Sequence, residues 1–81
     1  MEPNIKEVAG RIRALREDMD LTLQEMAEAT GRSTAEYAAQ ESGEEDLSFT
    51  FLYKCAEKFG VDVIELLTGE NPHLTGYSLT R

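Results

Sequence analysis

Apolar residues recur every three or four positions along most of this chain, a spacing that predicts helices rather than strands. The first helix is predicted over residues 5–18. Its apolar positions are Ile5, Val8, Ile12, Leu15 and Met19. Asn4 is the expected N-cap, and Glu7 stands three residues later, as in a capping box. The pattern therefore begins with one amphipathic helix.

Two short helices joined by a tight turn are predicted next, over residues 23–30 and 34–42. Thr22 and Ser33 are suitable N-caps, because their hydroxyls can accept from free backbone N–H groups of the first turn. Gly31 lies where a left-handed residue ends the first of these helices. This is the arrangement of a helix-turn-helix, in which the second helix can enter a DNA major groove.

The remaining apolar pattern predicts a fourth helix after Ser48 and a short fifth helix from Asp62, with Gly69 after it. The predicted apolar stripe of the fourth helix is Phe49, Leu52, Ala56 and Phe59. Phe51 and Tyr53 fall off this stripe, so exposure of both would mark a dimer or partner surface. Five short helices with short connections predict an all-α fold.

The last twelve residues differ in character from the rest. Asn71-Pro72 and Thr75-Gly76 are turn signals, while Tyr77 and Leu79 suggest the start of an extended strand. We therefore interpret residues 1–69 as one compact domain. Residues 70–81 are interpreted as a linker or the start of a C-terminal domain that the sequence lacks.

The charge of the chain opposes the motif. Sixteen acidic and eight basic side chains give 81 residues a net charge of −8, whereas DNA-binding domains are usually basic. Arg32 is the only basic residue between Glu17 and Asp46. The acidic surface has an alternative reading as a source of solubility alone. No signal peptide or long apolar run is present, so the expected location is the cytoplasm.

The order and spacing of several segments resemble the Cro/C1-type helix-turn-helix family, also called the XRE family. The resemblance covers roughly residues 8–69. Its carriers are Arg11-Ile12-Arg13-Ala14-Leu15-Arg16, Leu21-Thr22, Glu25-Met26-Ala27, Gly31, Ser33, Glu41, Gly43, Ala56-Glu57-Lys58-Phe59-Gly60-Val61 and Leu66-Leu67. The resemblance implies a five-helix, lambda-repressor-like DNA-binding domain. It also implies a structural ion pair between Arg16 and Glu41; the alternative is two independent surface charges.

Carried over by position, the residues facing bases would be Thr34, Ala35, Glu36 and Ala39, with Ser33 beside the backbone. Relatives commonly present longer polar side chains there, which read bases through paired hydrogen bonds. In this chain the threonine and the alanines can touch a thymine methyl, and Glu36 can accept from a cytosine amino group. The resemblance therefore implies a weak readout.

The expected phosphate contacts are also few. Leu23 stands where relatives often have glutamine, which leaves only the backbone donor at the start of the second helix. A second backbone donor is expected near Ser42. Arg32, and Arg11 or Arg13, are the candidate cations, while Glu44-Glu45-Asp46 would repel phosphates.

Two functions of different classes follow from these observations. The first is a sequence-specific DNA-binding domain of a transcriptional regulator, weak as an isolated fragment and strengthened by homodimerisation. The resemblance also suggests a C-terminal cupin sensor domain. The alternative is a degenerate helix-turn-helix that acts as a protein–protein interaction module. We expect no enzyme, cofactor or metal site: His73 has no partner at ligand spacing, and Cys55 is expected in the core.

Overall fold

The computed structural model describes residues 4–69, which form five α-helices and no strand. The helices are α1 (Ile5–Asp18), α2 (Leu23–Thr30), α3 (Thr34–Glu41), α4 (Phe49–Phe59) and α5 (Val63–Thr68). The all-α prediction is confirmed. The third helix ends one residue earlier than predicted, because Ser42 is its C-cap. The predicted turns and strand start within residues 70–81 lie outside the described residues.

The helix starts are set by local hydrogen bonds that the sequence announces. The Asn4 side chain accepts from the backbone N–H groups of Lys6 and Glu7. The Ser48 hydroxyl accepts from the N–H of Phe51 at 3.1 Å. At α5, the backbone N–H of Asp62 donates to the Glu65 carboxylate at 3.4 Å. Each bond satisfies a polar group that the helix start would otherwise leave without a partner.

The core lies between all five helices. α2 packs against α3 and α4, while α1 contacts α3, α4 and α5. The buried apolar cluster is Val8, Ile12, Met26, Ala27, Tyr37, Phe51, Leu52, Cys55, Ala56, Phe59 and Leu66. Cys55 is fully buried, as predicted, and burial raises the pKa of its thiol to about 12. α1 buries only the middle of its predicted stripe, because Ile5 and Met19 at its ends are exposed.

The predicted apolar stripe of α4 was wrong at its edge. Phe51 is buried, with 1% of its surface exposed, whereas Phe49 is 63% exposed. Both residues flank the buried face of α4, on opposite sides, so helical spacing alone does not separate them. α3 lies on the Phe51 side: the Tyr37 and Phe51 rings pack with centroids 5.7 Å apart. The tertiary neighbour therefore decides which phenylalanine enters the core.

Among residues 4–69, no helix is both long enough and apolar enough to cross a bilayer.

Candidate nucleic-acid interface

The turn between α2 and α3 has a fixed backbone geometry. Gly31 adopts a left-handed conformation with φ of 72°, which costs a residue with a side chain more than glycine. The N–H of Arg32 donates to the carbonyl of Ala27 at 2.9 Å. Ala27 itself is buried, with 2% of its surface exposed. The turn thus sets the angle between α2 and α3.

A buried ion pair fixes the opposite end of α3 to α1. Arg16 Nε donates to Glu41 Oε2 at 2.7 Å, and Arg16 Nη2 donates to Glu41 Oε1 at 3.1 Å. The two side chains are only 13% and 6% exposed. Arg16 Nη1 also donates to the carbonyl of Leu21 at 2.9 Å. These bonds confirm the predicted two-pronged ion pair and make Arg16 a structural residue. The hydrogen bond to Glu41 raises the pKa of Arg16.

α3 has two contrasting faces. We call Tyr37, Gln40 and Glu41 the inner face, because all three are buried. We call Thr34, Ala35, Glu36 and Ala39 the outer face: the first three are exposed and Ala39 is half-buried. Three of the four residues that the family resemblance assigned to base contacts are therefore exposed, and the fourth is half-buried. The outer face offers methyl groups, one hydroxyl and one carboxylate.

The Glu36 carboxylate is part of the cap of its own helix. Its Oε1 accepts from the backbone N–H of Ser33 at 2.9 Å, while the Ser33 hydroxyl accepts from the N–H of Glu36 at 3.1 Å. The hydrogen bond from the Ser33 backbone N–H is the largest cause that lowers the pKa of Glu36. The carboxylate is therefore ionised near neutral pH, and its orientation is set by the cap rather than by a base edge. The sequence motif predicted the hydroxyl cap but not this reciprocal bond.

α2 begins in the same way. The Thr22 hydroxyl accepts from the N–H of Glu25 at 3.0 Å, and the Glu25 carboxylate accepts from the N–H of Thr22 at 2.7 Å. The Leu23 side chain is half-buried and packs against the core, so it presents no polar group. The backbone N–H of Leu23, in the first turn, has no acceptor within the helix. Gln24, the next residue, is exposed and carries the amide that Leu23 lacks.

The expected backbone donor near Ser42 is already engaged. The N–H of Ser42 donates to Ala38 at 3.0 Å, and the next two N–H groups, of Gly43 and Glu44, donate to carbonyls of α3. The Ser42 hydroxyl donates to the carbonyl of Ala39 at 2.8 Å. The prediction of a free donor here was wrong, because the end of α3 satisfies its own carbonyls with these groups.

The candidate cations are in different situations. Arg32 is exposed in the turn, next to the outer face. Arg13 lies on α1 and forms an exposed ion pair with Glu17 at 3.1 Å. Arg11 Nη1 donates to the carbonyls of Leu66 and Leu67 at 2.8 and 3.1 Å, which makes Arg11 a structural link to α5. Arg32 is therefore the cation that the structure places nearest to α3 among these candidates.

The loop after α3 is acidic and exposed. Glu44, Glu45 and Asp46 are all exposed to solvent. Gln40 Nε2 donates to the carbonyl of Asp46 at 3.2 Å, which ties the loop to the inner face. Exposed negative charge therefore lies directly after α3, where it opposes the binding of phosphates.

The comparisons with known proteins agree with this geometry. The sequence matches the family profile of a helix-turn-helix domain over residues 9–72. The chain belongs to this helix-turn-helix family. The crystal structure of the clp gene regulator ClgR from Corynebacterium glutamicum is similar, with a TM-score of 0.73 and 29% identity over 83% of this chain and 72% of that chain. A second crystal structure of ClgR from C. glutamicum has a TM-score of 0.71 and 30% identity over 82% of this chain and 87% of that chain. No curated protein matches the sequence.

An aromatic pair lies outside the helix-turn-helix. The rings of Phe49 and Tyr53 stack on the surface of α4 with centroids 6.4 Å apart, and their residues are 63% and 53% exposed. The condition that both Phe51 and Tyr53 be exposed is not met, because Phe51 is buried; Tyr53 is exposed and its neighbour on the surface is Phe49. Phe49 and Tyr53 are four residues apart, and this spacing places two side chains next to each other on a helix, so the pair could have been predicted from the sequence.

Proposed function

We propose that this chain is a DNA-binding domain of a transcriptional regulator and that α3 enters the major groove of duplex DNA. The observation that carries the proposal is the helix-turn-helix family match across α2 and α3, joined by a turn of fixed geometry. Its similarity to a solved gene regulator supports the same function. The second helix of such a motif places its first residues at the base edges.

In the proposed complex the outer face of α3 meets the bases. Ser33 and Arg32 lie at the edge of the groove, where the guanidinium can contact a phosphate. The backbone N–H of Leu23 and the exposed amide of Gln24 are the contacts available at the start of α2. Arg13 is a weaker candidate, because a contact to DNA competes with its ion pair to Glu17.

We propose weak binding by the isolated domain. DNA affinity comes largely from cations that displace counterions from phosphates, and this surface supplies few of them. A homodimer would place two copies of α3 in half-sites about one helical turn apart, and binding of the first copy raises the effective concentration of the second at its half-site. Residues 70–81 would then lead toward further protein, with a cupin sensor as our specific proposal. The role is non-catalytic and the location cytoplasmic.

A second function is favoured by two separate observations. The loop of Glu44, Glu45 and Asp46 is exposed, and so is the Phe49–Tyr53 pair. An exposed acidic loop and an exposed aromatic pair are groups that suit a basic protein partner. In that case the helix-turn-helix would serve as a scaffold, because a fold alone does not establish a function.

Selection from random-sequence duplex DNA, followed by affinity measurements over a salt series, tests the main proposal. We expect enriched sequences and a linear fall of log affinity with log salt concentration. Arg32→Ala should reduce the salt slope by about one phosphate contact. Arg13→Ala removes the same charge and should reduce the slope by less, because a contact from Arg13 competes with its ion pair to Glu17. If the chain retains no DNA even at low salt, the DNA-binding proposal is wrong and the interaction-module function remains.

A further inference from the structure

The outer face of α3 has a narrow chemical repertoire, and this limits how it can read DNA. Resting on the proposed DNA-binding function, we infer that α3 recognises thymine by its methyl group rather than reading bases through paired hydrogen bonds. The residues that carry this specificity are Thr34, Ala35 and Ala39.

The first step is that three polar side chains on or beside α3 make hydrogen bonds within the domain. The Glu36 carboxylate accepts from the Ser33 N–H at 2.9 Å and is turned back into the cap. The Ser42 hydroxyl donates to the carbonyl of Ala39 at 2.8 Å, so its proton is also occupied. Gln40, whose amide could pair with adenine, is buried and donates to the carbonyl of Asp46. None of these side chains is free to make the two parallel hydrogen bonds that identify a base.

The second step concerns what remains exposed. Thr34 and Ala35 are exposed in the first turn of α3, and Ala39 is half-buried one turn later. Their short side chains allow the helix backbone to approach the floor of the groove closely. The thymine C5-methyl is the one apolar group that base pairs present in the major groove, and alanine and threonine methyls contact it. The available chemistry therefore matches thymine.

Uracil substitution tests this inference directly. Replacing thymine with deoxyuridine removes the C5-methyl and preserves base pairing. Within sequences selected by the chain, we expect one or two deoxyuridine positions per half-site to lower affinity by about three- to fivefold each, the effect of one buried methyl group. Other thymines in the same duplex provide the internal control.

A matched pair of variants separates the methyl of Thr34 from its hydroxyl. Thr34→Val keeps the methyl and removes the hydroxyl, so it should retain the sensitivity to deoxyuridine. Thr34→Ser keeps the hydroxyl and removes the methyl, and it should lose that sensitivity at one position. Both substitutions are at an exposed first-turn position, and helical circular dichroism checks that both variants fold.

Several outcomes would overturn the inference. Selected DNA that tolerates deoxyuridine at every position contradicts it, and so does binding without any enriched sequence. Enrichment of a cytosine whose N4-methylation abolishes binding would instead assign the readout to Glu36. In all three cases the DNA-binding function stands while the methyl readout fails. If no DNA is retained at low salt, both fail together.

Discussion

The inner and outer faces of α3 belong to one eight-residue helix and have opposite properties. On the inner face Glu41 is held by two hydrogen bonds from Arg16, and Tyr37 packs against Phe51. On the outer face Ala35 and Thr34 are exposed with short side chains. The inner face therefore fixes the position of the helix in the domain, whereas the outer face determines what the helix can contact. A sequence can therefore keep every residue that positions the helix while keeping few side chains that could contact DNA.

The largest expected effect comes from the ion pair behind the inner face. Glu41→Ala leaves the Arg16 guanidinium largely buried without its partner, and we expect a loss of about 3–5 kcal/mol in the free energy of unfolding. Urea denaturation measures it. Arg13→Ala breaks an exposed pair and should cost no more than about 1 kcal/mol. Equal losses in the two variants would show that the buried pair does not mount α3.

The same alanine-to-leucine change, made once in the core and once on the outer face of α3, tests the difference between buried and exposed positions. Ala27→Leu inserts a larger side chain where α2 is buried in the core, and we expect it to destabilise the domain by about 1–3 kcal/mol. Ala35→Leu makes the same change on the outer face and should change stability by less than about 0.5 kcal/mol. Thermal unfolding compares the two. A neutral Ala27→Leu would mean that the helices do not need a small residue there.

Removing the N-terminal cap of α3 should have an intermediate effect on the stability of the domain. Ser33→Ala removes the acceptor for the Glu36 N–H, with an expected cost of about 1 kcal/mol. Ser42→Ala removes a hydroxyl from the other end of the helix and provides the control, with a smaller expected loss. Chemical denaturation of both variants gives the comparison. A larger loss for Ser42→Ala would contradict the importance of the start of α3.

The smallest expected effect is a pH dependence from Glu36. Its pKa is lowered by the bonds from Ser33, so the folded state binds a proton less readily than the unfolded chain. The stabilisation is therefore complete above about pH 5.5 and is lost as pH falls through the folded-state pKa. The stability difference between the wild type and Glu36→Gln should change in that range, to the disadvantage of the wild type at low pH. Glu57→Gln, an exposed charge change on α4, is the matched control; the same pH trend in both variants would rule out the cap as its source.

Most of the fold could be predicted from local signals. Thr22, Ser33 and Ser48 mark helix starts, and Gly31 marks an end, because capping depends on residues close in sequence. The Arg16–Glu41 pair lies 25 residues apart in the chain and came from the family resemblance instead.

The predictions that failed share one physical cause. Each concerns a residue whose burial or hydrogen-bond partner depends on how distant segments pack or on how a helix ends. The burial of Phe51 rather than Phe49 depends on where α3 lies. Arg11 has its partners 55 and 56 residues away in α5. The Ser42 donor depends on how α3 terminates. The assignments of Leu23, Arg32, Ser33, Thr34 and the rest of the outer face to DNA remain predictions, because contacts with a ligand are not encoded in the packing of the free domain.

Because Cys55 is buried, the rate at which its thiol reacts can be used to measure how often the domain opens. The chain has one cysteine, and with a thiol pKa of about 12 almost none of it is thiolate near neutral pH while the core is closed. A thiol-specific reagent can therefore react only when α4 separates from its neighbours. The labelling rate reports how often the domain opens, without a mutation to introduce a reactive group. Measured with and without DNA, it would also report how strongly a bound duplex holds the domain shut.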